Sequence, residues 1–216
     1  MRVILPFVLV AAVVLAPVAP AAQTPAPSAS DLAARVQKRY ESIRDFTADF
    51  TQDYRGILNR RTAPQRGKVL LKKPHRVRFT YDVPEYMVFV SDGVKLMSYR
   101  REDRAGTESP LPKEDESSTA LMFLAGRGNL ARDFTPAIAA GAPASEWHLG
   151  LVPKTKQTDF DTLTLILDRR TLAVVGFITT DDQGTNTIRF QNLKENTGLA
   201  NSAFEFTFPP GTDISR

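Results

Sequence analysis

The chain has 216 residues, 42% of them hydrophobic and 24% charged, with a formal net charge of +4 and no cysteine. The missing cysteine excludes disulfides, thiolate metal sites, a cysteine nucleophile and the lipidated cysteine of a membrane-tethered lipoprotein. Positive charge invites a nucleic-acid reading, but the chain opens with an export signal, and Arg76 and Arg78 of "HRVRF" fall on the polar face of a strand, where cations are expected.

That export signal is "MRVILPFVLVAAVVLAPVAPAAQ". One cation, Arg2, precedes an apolar run and then the small-residue site Ala19-Pro20-Ala21, the pattern of a secretory signal peptide cleaved near Ala21. Residues 1–21 are therefore read as signal peptide, 22–30 as a disordered Pro/Ala/Ser lead-in and 31–216 as a single domain. The domain begins with a helix capped by Ser30, with Asp31 in its first turn and Leu32, Val36, Tyr40 and Ile43 on one stripe.

Strands follow. "FTADFTQDY" buries Phe46, Ala48 and Phe50 on one face, and residues 55–67 then read as a polar, basic loop. Further strands are expected at 67–72, 76–82, 86–91 and 94–100, the last two joined through the turn Ser91-Asp92-Gly93. Val77, Phe79 and Tyr81 alternate against polar neighbours. In "YMVFV" both faces are apolar, Met87 and Phe89 on one, Tyr86, Val88 and Val90 on the other. One of those faces needs an extra cover, because antiparallel sheets usually leave one side to water.

"SSTALMFLAGRGNLARDFTPAI" interrupts the strands. Ser117 or Ser118 caps a short helix, and Asn129 starts another. The first carries Leu121, Met122, Phe123 and Leu124 in succession, which covers every side of a turn and suits a lid over an apolar space or burial under the sheet. The meander "DTLTLILD", "LAVVGFITTD" and "TNTIRFQNL" comes next, and "FEFTFPPG" reads as a last strand with Phe204, Phe206 and Phe208 at period two. Catalysis finds no support: neither His75 nor His148 lies in a motif with a nucleophile or a metal-ligand partner, so no metal and no cofactor are expected.

Taken in order, "FTADFTQ", "GKVLLKKPHRVRFTY", "FVSDGVKLMSY", "WHLGLVPK" and "FEFTFPPGTDI" resemble the LolA family of outer-membrane lipoprotein carriers across essentially the whole mature chain. The resemblance implies an α+β fold, an incomplete, half-open antiparallel β-barrel of about ten to eleven strands around the N-terminal helix, with short lid helices. It implies a monomeric periplasmic protein without cofactor, whose apolar cavity holds the acyl chains of lipoproteins. Its partners would be those lipoproteins, an inner-membrane ABC transporter of the LolCDE type and an outer-membrane, LolB-like acceptor. The alternatives on the same fold are a carrier of other amphipathic lipids and an envelope-stress sensor or interaction module.

Residue by residue, Lys73 matches a family position that is typically arginine and closes the lid by hydrogen bonding. Val77 and Phe79 match positions commonly aromatic, and Met97 matches a typical tryptophan. Together with Phe50, Phe89 and Tyr99 these are the expected cavity residues.

Overall fold

The computed structural model describes residues 26–58, 61–111, 128–156 and 160–216. A helix, α1 (Ala29–Glu41), precedes β1 (Asp45–Gly56), β2 (Gln65–Lys72), β3 (Arg76–Val83), β4 (Met87–Asp92), β5 (Lys95–Arg100) and β6 (Ala105–Pro110). After a one-turn helix, α2 (Leu130–Asp133), come β7 (Phe134–Ile138), β8 (Glu146–Pro153), β9 (Thr162–Asp168), β10 (Val174–Thr180), β11 (Gly184–Glu195) and β12 (Asp213–Ser215). All twelve join one sheet in the order β12-β6-β5-β4-β3-β2-β1-β11-β10-β9-β8-β7. Among the described residues the two end strands do not pair with each other, so the sheet is open. Every ladder is antiparallel except β12 on β6.

The cap of helix α1 lies two residues before the expected one. Ser28 is the N-cap: its Oγ accepts from the Asp31 N–H (3.1 Å) and donates to the Asp31 carboxylate (2.7 Å). The Ser-x-x-acid spacing lets serine and carboxylate serve each other, an arrangement Ser30 has no partner to make. The helix buries Leu32, Ala33, Val36 and Tyr40 against the inner face of the sheet. Arg39 fixes its angle through a two-bonded pair with Glu195 of β11 (3.0 and 2.7 Å).

The inner face is continuous in register. Phe50 of β1 stands opposite Phe190 of β11, Ala48 opposite Val69 of β2, and Val69 opposite Phe79 of β3. Toward β8 the row runs through Ile188, Phe177, Leu165 and Leu149. All belong to one buried cluster with the α1 side chains.

Gly67 of β2 lies between Phe50 and Tyr81 and has no side chain to separate them, so the two rings meet over it with centroids 4.9 Å apart. A Cβ there would stand 1.9 Å from the Thr80 carbonyl oxygen. The strand therefore requires glycine.

The final phenylalanines are not a strand. Asn201–Phe204 forms a 3-10 turn and the following chain lies extended across the outer face of β3 to β6. Arg78 Nη1 donates to the carbonyls of Ala203 and Glu205 (both 3.2 Å), Lys72 Nζ to that of Leu199 (2.6 Å) and Arg104 to that of Pro210 (3.2 Å). Asp45, at the start of β1, anchors the approach to this segment by accepting from Thr197 N and Oγ1 and from Gly198 N. Burial pushes its carboxyl up, but those donors win and hold it below the usual carboxylate range.

Period-two aromatics thus pack face-on while their backbone carbonyls are taken by arginine and lysine side chains. Arg78 is accordingly a clamp rather than the solvated strand cation expected from alternation. The apolar outer side of "YMVFV" receives its cover here, since Val88, Val90 and Met97 cluster with Phe204. Gly106 of β6 leaves room for the Phe208 ring, which a Cβ would approach to 2.5 Å.

Three strands of the sheet were not among those expected. "AGTESP" of β6 and "DIS" of β12 carry no apolar alternation, and β7 lies in the stretch expected to be helical after Asn129. Asn129 does cap a helix, its Oδ1 accepting from Arg132 N (2.8 Å), but that helix lasts one turn before β7 pairs with β8. The basic stretch after β1 is shorter than expected, because β1 runs to Gly56 and β2 begins at Gln65; Ile57 and Leu58 stand exposed beside it.

Candidate functional site

Helix α1 seals only part of the inner face. From β7 to β3 most of the inward side chains are apolar and share one buried cluster with α1, with Phe50, Val77 and Phe79 at most 2% exposed. The Phe50 ring meets Phe79 edge-on at 5.1 Å. On β4 the inward residues, Met87 and Phe89, are only half-buried. Here the face opens into a pocket of about 360 Å³, walled by Tyr81, Met87 and Phe89 on one side and by Ser98, Arg100 and Thr107 on the other. Its size falls at the lower end of small-ligand sites.

Tyr81 forms the boundary between sealed core and open pocket. Its ring packs on Phe50, and its hydroxyl donates to Gln52 Oε1 at 2.9 Å. Burial pushes the phenol up to about 12, so it remains a neutral donor at physiological pH.

At the opposite end of the strands from Tyr81, Lys73 follows β2. Its Nζ lies 3.7 Å from the centroid of the Tyr40 ring and donates to the Tyr40 carbonyl oxygen at the C-terminal end of α1. That position suits a cation twice over, through the ring face and through the negative end of the helix. Desolvation outweighs nearby Glu41 and pushes the ammonium down to about 8. A lysine depressed in the fold weakens the folded state wherever it is charged there, and the penalty fades as pH rises from about 8 to the ordinary lysine value of 10.5. The expected result is an Nζ resonance titrating near 8 by NMR, and a pH-dependent gain in melting temperature over that interval which Lys73→Met lacks. In that variant the amides of residues 40–43 also exchange faster. Indistinguishable pH profiles for the two proteins would remove the assignment.

Residues 41–207 match the family model described as outer membrane lipoprotein carrier protein LolA. The chain belongs to the LolA family. Curated relatives named outer-membrane lipoprotein carrier protein include one from Pseudomonas syringae pv. syringae, 28% identical over 193 residues, covering 88% of this chain and 90% of the relative. Another, from Methylobacillus flagellatus, is 27% identical over 175 residues, covering 81% and 84%. Among solved structures, an uncharacterized conserved protein from Thermus thermophilus shares the fold, with a TM-score of 0.53 at 14% identity over 87% of this chain and 98% of that one.

Within this LolA-family fold, the residues expected to line a cavity divide. Phe50, Val77, Phe79 and Phe89 share the inner face. Met97 and Tyr99 do not share that face, although Tyr99 still borders the pocket. Pairing places Val90 opposite Met97 and Val88 opposite Tyr99, all directed outward, and the Tyr99 ring lies 6.0 Å from Phe206. The physical reason is the period of the strand: Ser98, between them, takes the inward position.

Leu121, Met122, Phe123 and Leu124 lie outside the described residues. Tyr81 and Met87 line the pocket although neither stood among the expected cavity residues. Their signal was present, since each shares the alternation of Phe79 or Phe89.

The two histidines are placed apart from the pocket. The His75 carbonyl accepts from Ser91 Oγ (2.6 Å). His148 bonds Glu146 (2.9 Å), which in turn pairs with Arg189 (2.7 Å). Hydrogen bonds from Arg189 hold the Glu146 carboxyl below its usual range, so the Glu146–Arg189 ion pair ties β8 to β11.

Proposed function

We propose that this LolA-family protein is a periplasmic carrier that shelters the acyl chains of lipoproteins against its inner face. It takes them from a LolCDE-type ABC transporter in the inner membrane and delivers them to the outer membrane, through a LolB-like acceptor where one exists. The observation that carries this reading is the family match across residues 41–207. The geometry supports it: beside a sealed core, the sheet offers an open, partly apolar pocket at Tyr81, Met87 and Phe89.

The physical need is plain. An exposed acyl chain returns to a bilayer with about 0.8 kcal/mol per buried methylene, so a lipid-anchored protein crosses water only inside an equivalent apolar shelter. Release then requires no chemistry, only a destination that offers as much apolar contact, and the carrier needs neither cofactor nor nucleotide of its own.

The test is to isolate the tagged protein from a Gram-negative periplasm under detergent-free conditions and identify what accompanies it by mass spectrometry. Acylated lipoproteins at near-stoichiometric amounts are expected. Recovery of free phospholipid or glycolipid alone would move the assignment to a general carrier of amphipathic lipids, and an empty protein would remove the carrier reading.

A further inference from the structure

The inner face changes character within one strand step. Cα pairing aligns Phe79, Phe89, Ser98, Thr107 and Ser215 in a single row across β3, β4, β5, β6 and β12. Strands lie about 4.8 Å apart, so two aromatic positions are followed by three hydroxyl positions at that interval. The adjacent row runs Tyr81, Met87, Arg100, Ala105 and Asp213. The pocket lies over both rows and touches each kind of residue.

A cross-strand serine and threonine often bond simply to stabilise a sheet. This pair does bond, Ser98 Oγ to Thr107 Oγ1 at 2.7 Å. Two hydroxyls that share one hydrogen bond still keep a second O–H, and here it belongs to the wall of an open pocket.

The charges around it are informative. Arg100 is neutralised by Asp103 (2.9 Å), and Asp213 adds a further carboxylate to the pocket wall. An anionic head group would meet more negative than positive charge, whereas a neutral acceptor such as an ester or amide carbonyl meets a hydroxyl donor.

We propose that the Ser98–Thr107–Ser215 row is a polar subsite for the neutral ester and amide carbonyls that join acyl chains to their head, while the chains lie on Tyr81, Met87 and Phe89. This rests on the carrier reading and deepens it. The subsite sets the depth of the cargo: the chains run toward the aromatic strands, and the linkage stops at the hydroxyl strands, which directs the attached polypeptide outward over β6 and β12.

The test compares two synthetic lipopeptides, one with ester-linked and one with ether-linked palmitoyl-length chains, and dipalmitoylglycerol. Each displaces a fluorescent apolar probe from the wild type and from a Ser98→Ala/Thr107→Val double variant of the full mature chain. Both substitutions are nearly isosteric and lie on an exposed or half-exposed wall, and an unchanged melting temperature confirms the fold.

The wild type is expected to prefer ester over ether lipopeptide by about three- to tenfold, the worth of one or two neutral hydrogen bonds, and the double variant to lose that preference by weakening on the ester alone. Equal weakening toward dipalmitoylglycerol would show that the subsite reads the glyceryl ester whatever its source, and weakening toward the lipopeptide alone would tie it to acylated protein. A double variant that keeps the wild-type preference overturns the subsite. A wild type that binds neither lipopeptide overturns the carrier reading itself, so the two failures are distinct.

Discussion

Phe79→Glu is expected to unfold the domain, whereas Phe89→Glu leaves a cooperative melting transition and loses acyl binding. The two residues face each other across β3 and β4 and point the same way, yet their surroundings differ. Phe79 is 2% exposed, with its ring against Phe50 and Tyr81. A carboxylate there must lose its water or break the core open, at a cost of several kcal/mol. That is comparable with the whole stability of an ordinary domain, about 5–15 kcal/mol.

Phe89 is only partly buried and borders the pocket. Its glutamate stays hydrated, while placing charge where an alkyl chain would lie. Urea denaturation separates the two variants, and displacement of an apolar fluorescent probe reads the second. A Phe79→Glu protein with wild-type stability would mean that water already reaches that part of the inner face. Undiminished probe and lipopeptide binding by Phe89→Glu would take the chains away from β4.

From sequence alone Phe79→Glu looks like a clean probe of a cavity, and the reason it is not shows what alternation conveys. Period two says that Val77, Phe79 and Tyr81 share a side. It does not say whether that side meets a helix or an opening. Helix α1 decides this, and its stripe of Leu32, Val36 and Tyr40 is legible, but where the stripe lands depends on pairings far apart in the chain.

Phe89 was readable as apolar on both flanks for the same reason: one neighbour set meets the pocket, while the other, Val88 and Val90, meets Phe204 from more than a hundred residues away. Met97 and Tyr99 went to the wrong side because a one-residue shift exchanges the faces of a strand, and nothing local to "KLMSY" marks which face is inward. Strands β6 and β12 were invisible for a different reason. Residues such as Thr107 and Ser215 have no apolar pattern to announce a strand, and they are held in the sheet by the ladder of β5 and by the return of the C-terminal segment.

That return carries the second large effect. Phe204→Ala is expected to lower stability by about 3–5 kcal/mol, the usual cost of deleting a fully buried aromatic ring when its surroundings cannot close the gap. Phe204 is 0% exposed and joins Val88, Val90 and Met97 beneath the extended C-terminal segment. Little can move to fill the space, because the chain on either side is held by the Arg78 bonds to Ala203 and Glu205 and by the 3-10 turn.

The loss should also be local in character. Amides of β4 and β5, whose outer faces would lose their cover, are expected to exchange faster in hydrogen-exchange measurements, while those of β8 and β9, which pack against α1 on the far half of the sheet, keep their protection below the transition. A loss under about 1 kcal/mol, with β4 and β5 as protected as before, would show that the C-terminal segment rests on the outer face without holding it. The predicted outcome makes the outer clamp a condition of the inner pocket, because the same two strands supply Val88, Val90 and Met97 to one face and Met87, Phe89 and Ser98 to the other.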